Sequence, residues 1–233
     1  MATTTHKPLT TPKLTLKSSK SKTAALIYEY SVESANALWA AYDLARLNRG
    51  KPRGITTDQE QDILRAMLIA AASGLDASIK QLIRDCLQAL LVKEDVQGAF
   101  EKFVQRYLQG GEAEGNDLSA KILAKIIAAP DPQKQLINRY VYELTGDSLQ
   151  SAEQLLKVCA ALGVDSKPIL GDVKTLKSIF AARNQMIHEL DMNLISPNRK
   201  RRVRGQADMQ GYAERLIKIS AEIVTDVDSR VGV

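Results

Sequence analysis

An arginine, an amide and a histidine lie within six residues of one another in the stretch Arg183-Asn184-Gln185-Met186-Ile187-His188-Glu189-Leu190-Asp191. These side-chain types can act together on a phosphodiester without a metal. A guanidinium at Arg183 supplies fixed positive charge and a planar fork that matches phosphate oxygens. An imidazole at His188 gives and takes a proton near neutral pH without a large pKa shift. The amide of Asn184 can orient either the phosphate or the imidazole. The only other histidine is His6, so a multi-histidine metal site within one chain is excluded. The chain has no phosphate-binding glycine loop, no His-Glu-x-x-His pair and no Cys/His cluster. No metal and no cofactor is therefore expected.

The elements that must carry these residues read as helix after helix. Aromatic residues make up 5% of the 233-residue chain while Ala and Leu abound, which favours helices over a β-sandwich. Apolar spacing marks a first helix over 23–47, ended by Asn48, Gly50 and Pro52. A capping box at Thr57-Asp58-Gln59-Glu60 opens a second. Its apolar face runs on to Leu90, a span of roughly 50 Å if unbroken, so a kink is expected near Ser73-Gly74. Shorter helices are expected over 94–108, 118–128, 133–144 and 149–162, with a glycine-bearing loop over 109–117. Pro130 and Pro132 separate two of these helices, and Gly146 and Gly163 follow two of them. The last two helices cover 173–190, capped by Asp172, and 207–230. The expected fold is an all-α bundle in one domain over residues 23–233.

The helix over 173–190 breaks a local rule. Its apolar stripe reads Leu176, Phe180, position 183, Ile187 and Leu190, and position 183 is Arg. A charge in a core stripe costs free energy unless it is paired or faces an interface. Asn184 and His188 are one turn apart, whereas Arg183 and His188 are about 140° apart around an ideal helix. A single straight helix does not line them on one face; a second copy can bring the pair together.

Charge is unevenly placed. The net charge is +5, and residues 1–22 hold five lysines and no acid, which leaves the rest formally neutral. This Thr/Ser/Lys/Pro segment reads as disordered, either a solubilising leader or a flexible polycation that recruits nucleic acid. A second basic element, Arg199-Lys200-Arg201-Arg202-Val203-Arg204, lies in the loop over 196–206. It is a solvated or import-like string, or a phosphate-gripping flank that sets affinity for RNA more than sequence choice. Cys86 and Cys159 fit neither a disulfide framework nor a zinc site and read as reduced and buried, in a cytoplasmic protein. No signal peptide is seen, and the most apolar stretch, 66–75, is too short to span a bilayer.

The Arg183-Asn184-…-His188-Glu189-Leu190-Asp191 string, preceded by the apolar turn Ile179-Phe180-Ala181-Ala182, resembles the HEPN superfamily, most of all its RiboL-PSP-like branch. The resemblance is sharp over residues 176–193, weaker over the earlier helices, and does not reach residues 1–22. It implies an all-α homodimer joined through the motif helices, whose composite cleft is a metal-independent endoribonuclease. Arg183, Asn184 and His188 would be its catalytic residues, with RNA as substrate. Arg199, Lys200, Arg201, Arg202 and Arg204 would be its RNA-binding flank. It implies a toxin or an antiviral-defence effector. In some HEPN toxins a partner enzyme modifies a Tyr two residues after the motif His; here that residue is Leu190, so control would fall to an antitoxin or other regulatory protein. The same residues also fit a non-catalytic module that binds RNA or a partner helix. In a purely structural adaptor, Arg183 would pair with a buried acid such as Asp76 or Asp85. Tyr28, Tyr30, Trp39 and Tyr42 sit at helical spacing and read as core rather than as base-stacking platforms.

Overall fold

Thr57 Oγ1 accepts the backbone N–H of Glu60 at 3.2 Å, and the Glu60 carboxylate accepts that of Thr57 at 2.8 Å. This reciprocal cap opens the longest helix, α2 (Asp58–Leu90). The computed structural model describes residues 7–50, 55–109 and 116–232, and among these it is helical with one isolated β-bridge. His6, Pro52, and the glycines of the expected loop (Gly110, Gly111 and Gly115) lie outside the described residues.

Helix α2 is the axis of the core. It packs along α1 (Lys22–Asn48) and along α9 (Gln206–Val231). Leu64, Leu68, Leu75, Ile79, Leu82 and Ile83 on it are almost wholly removed from water, each adding roughly 1.5–3 kcal/mol of burial. By length and composition α2 could cross a membrane, but more than half of its most apolar window is buried inside the protein, as suits a core helix. It continues as one helix through Ser73-Gly74, the place where a kink was expected. Gly74 serves a close approach: a Cβ there would lie 1.8 Å from Ser31 Oγ on α1.

A second group comprises α3 (Glu94–Leu108), α4 (Asn116–Ile127), α5 (Pro132–Thr145) and α6 (Ala152–Leu162). Phe103 of α3 packs on Tyr140 of α5 with ring centroids 4.6 Å apart. Gly163 ends α6 in a left-handed conformation, φ +67°, that only glycine adopts cheaply. A short helix absent from the sequence expectation, α7 (Ser166–Leu170), leads to α8 (Val173–His188), which packs on α2 and α6. Cys86 and Cys159 are buried free thiols. Burial pushes them up to about 11 and about 12 respectively.

Within the described residues, 7–22 correct the expectation of disorder over 1–22; residues 1–6 lie outside them. Residues 7–18 lie as an irregular arm on α1 and α9, followed by a 3-10 turn (Ser19–Ser21). Leu9 is buried and donates its backbone N–H to Asn36 Oδ1 at 2.8 Å. Trp39 Nε1 donates to the Lys7 carbonyl, and Tyr28 Oη to that of Pro12. Buried Asp228 accepts the backbone N–H groups of Lys17 and Ser18 at 2.6 and 3.0 Å. Polar composition signalled disorder, but side-chain acceptors on α1 and α9 satisfy the arm's backbone in place of a sheet ladder.

Candidate functional site

Helix α8 begins at Asp172, whose carboxylate accepts the backbone N–H groups of Lys174 and Thr175 as the sequence implied. Its buried residues are Leu176, Ile179, Phe180, Ala182 and Met186. This stripe is rotated from the expected one, which ran through position 183 to Ile187 and Leu190. Ile187 and Leu190 are instead exposed, Leu190 at 70%. Arg183 is therefore a half-buried residue at the stripe's edge rather than a charge in the core.

Arg183 Nη1 donates to Asn184 Oδ1 at 3.0 Å, its one hydrogen bond among the described residues. Asn184 Nδ2 in turn donates to the Gln150 carbonyl at 3.3 Å, tying α8 to the turn before α6. Burial pulls the Arg183 guanidinium below its ordinary pKa, and the charge of Asp76 opposes that pull. No ion pair joins Arg183 to that acid. Asp76 holds Lys80 Nζ at 3.0 Å and accepts the Leu149 N–H at 2.7 Å. Asp85 is taken by Gln81. His188 stands exposed in the last turn of α8. One chain thus brings Arg183 and Asn184 together, and among the described residues no hydrogen bond joins either of them to His188.

The expected basic flank is largely consumed by structure. Leu190 and Asp191 adopt positive φ values of 49° and 59°, turning the chain sharply after α8 and sending Asp191 inward. A short hairpin follows. Asn193 N–H donates to the Lys200 carbonyl at 2.9 Å, and Arg202 N–H to that of Asp191 at 2.8 Å. At its base the Asp191 carboxylate, 0% exposed, meets two arginines. Arg65 Nε from α2 lies 2.7 Å from Oδ2, and Arg204 Nη2 lies 2.5 Å from Oδ1. Gln61 and Gln185 complete the network by accepting from Arg65 and Arg204 respectively. Arg201 pairs with Asp62 at 2.6 Å and Arg202 with Glu189 at 2.9 Å.

Of the five cations expected to grip RNA, Arg201, Arg202 and Arg204 are therefore engaged in ion pairs that pin the hairpin. Of the five, only Arg199 and Lys200, near the tip, present exposed side chains without a partner among the described residues. The sequence reading missed Gln61, Arg65 and Gln185 as parts of this region. Gln61 and Arg65, one helical turn apart and both polar yet buried on the central core helix, were the available signal. Beside the two free cations the hairpin exposes Leu194 and Ile195, the latter at 94%. Ile187 and Leu190, on either side of His188 in the chain, and Val203 are exposed as well.

Among the described residues no group of three or more His, Cys, Asp or Glu side chains is arranged to hold a metal ion. Set against known protein families, curated proteins and solved structures, the chain matches none of them.

Proposed function

We propose that the chain is a metal-independent endoribonuclease of HEPN type, with a composite site built when two α8 helices meet in a homodimer. The observation that carries this reading is the state of Arg183. It is a half-buried guanidinium that no carboxylate neutralises and whose one hydrogen-bond partner is the neighbouring Asn184. A structural arginine at such a position normally pairs with an acid. An arginine that awaits a phosphate does not. The exposed His188 and the apolar side chains of Ile187 and Leu190 around it suit a face covered by a second copy, which would supply the His that one chain keeps apart from its Arg.

In this mechanism the RNA 2′-oxygen attacks the adjacent phosphorus while a general base takes its proton. The 5′-oxygen leaves as it gains a proton. His188 serves as the base or the acid, worth about 10²–10⁴-fold. Arg183 stabilises charge gathering on the phosphoryl oxygens. Asn184, anchored on Gln150, holds Arg183 in place. The setting of a toxin or defence effector rests on the resemblance alone.

A second reading is favoured by one observation. With three of the five loop cations paired internally, the exposed Leu194, Ile195 and Val203 around Arg199 and Lys200 suit a non-catalytic module that docks a partner. Cleavage of labelled total RNA and tRNA in excess EDTA separates the two. The nuclease gives EDTA-resistant products ending in a 2′,3′-cyclic phosphate or its hydrolysis product, lost in His188→Ala and in Arg183→Ala, with an all-deoxy strand left intact. Dependence on magnesium, cleavage of DNA, or full activity in His188→Ala sinks the proposal.

A further inference from the structure

Between α3 and α6 runs an open groove of about 840 Å³, within the usual range for small-molecule sites. It shares no lining residue with the α8 region. Helix α3 contributes Gly98, Lys102 and Arg106, α6 contributes Lys157 and Ala160, and Tyr140 of α5 lines it from below. Its charge is gathered at one end. Arg106 Nη2 and Lys157 Nζ both sit on the same oxygen of Glu143, at 2.9 and 2.6 Å. Two cationic heads therefore converge on a single carboxylate. Lys102, one turn before Arg106, adds a third positive charge with no partner among the described residues. Asp95 and Asp165 also line the groove, but Asp95 is paired with Arg230 at 2.6 Å and Asp165 caps α7, so Lys102, Arg106 and Lys157 set against Glu143 leave an excess of positive charge that draws in a multiply charged anion.

Gly98 points the same way. A glycine inside a helix costs roughly 0.5–1 kcal/mol relative to Ala. Such a cost is usually explained by a left-handed backbone or a close neighbour. Gly98 lies mid-helix, without a positive φ, and a Cβ there meets nothing within 4 Å. The space it leaves open belongs to the groove, which is where a bound molecule needs the backbone bare.

We propose that this groove binds a small phosphorylated molecule, its phosphates held by Lys102, Arg106 and Lys157 and its uncharged body lying over Gly98 and Ala160. Phosphate fits better than a lone carboxylate. Two flexible ammonium groups and a guanidinium fork match a group with several charged oxygens. The groove is open enough for the ligand to enter without rearrangement of α3 or α6.

Isothermal titration of the full chain with ATP and with pyrophosphate tests this directly. Both probes are expected to bind saturably at one site. Lys102→Gln combined with Lys157→Gln, at exposed positions, should weaken both by about tenfold or more. Gly98→Leu replaces a helix-breaking residue with a helix former, and its Cβ meets no atom of the chain within 4 Å, so its melting temperature should hold or rise. That variant should weaken ATP far more than pyrophosphate, because it fills the place of the uncharged body. Arg199→Gln with Lys200→Gln, at the hairpin, should leave both affinities unchanged. Three results would each overturn the proposal: no saturable binding of either probe at millimolar concentration, equal loss in the hairpin variant, or undiminished ATP binding in Gly98→Leu. None of these readouts involves RNA cleavage, so they stand or fall apart from the nuclease reading.

Discussion

Asp191 is a carboxylate with no water on it, held between Arg65 and Arg204. Burial pushes its pKa up, but the hydrogen bonds from Arg204 and Arg65 outweigh this and hold it below the ordinary carboxylate range. A carboxyl whose folded pKa lies below its unfolded one, about 3.9, stabilises the fold above that value. The contribution is lost as pH falls through the folded pKa. Asp191→Asn leaves Arg65, only 4% exposed, as a buried charge without its main counter-ion, and is expected to cost about 3–5 kcal/mol at pH 7. Urea titrations at pH 7 and below pH 4 check both parts: the variant should be weaker at neutral pH and should lose less on acidification than the parent. Equal stability at pH 7 would show that the clamp is not what fixes the hairpin. At this scale the sequence revealed types more than contacts. Arg183, Asn184 and His188 stand out by kind and spacing, yet α8 carries two apolar lines and periodicity did not choose between them. The line through Ile179, Ala182 and Met186 faces the core, and the one through Ile187 and Leu190 faces out. The role of the basic run was equally hidden, since an arginine that grips a phosphate and one that grips Asp191 are written with the same letter.

Between elements, α1 and α2 approach closely at Gly74. An added methyl group would fall 1.8 Å from Ser31 Oγ and 2.1 Å from Ser31 Cβ. Gly74→Ala gains about 1 kcal/mol in helix propensity and costs about 1–3 kcal/mol in overpacking. The helices must also part over neighbouring layers, so a net loss of stability is expected. Ser31→Gly removes the atoms in the way, and the double variant should recover more than the two single effects predict. A thermal melt of Gly74→Ala at or above the parental temperature would refute this account. Elements whose signals are local were readable in advance: the capping box at Thr57, the Asp172 cap and the glycine after α6 all act within one turn. Helix α7 was not, because five residues containing Pro168 are too few to display a period. The glycine at 74 was read as the place of a kink because the sequence does not say which helix lies across from it.

For the whole molecule, the arm over residues 7–18 joins parts that are distant along the chain. Asp228 takes two backbone donors from positions more than 200 residues away. Asp228→Ala strands those N–H groups beside the core and is expected to cost about 1–3 kcal/mol. The loss should appear as faster hydrogen exchange and earlier proteolysis within the arm, with α2 still protected. An arm as protected as in the parent would show that Leu9 and the Trp39 and Tyr28 hydrogen bonds suffice. Composition could not reveal this segment: its lysines and threonines argue for solvent, while the acceptors that hold it belong to α1 and α9. The same long reach sets an order on synthesis. Residues 7–18 leave the ribosome early, but Asp228, which holds Lys17 and Ser18, lies on α9, the final helix described, so that end of the arm stays without its acceptor until position 228 has emerged. A chain cut short before that point is expected to hold its arm by α1 alone and to lose it to proteases sooner than a chain that carries α9.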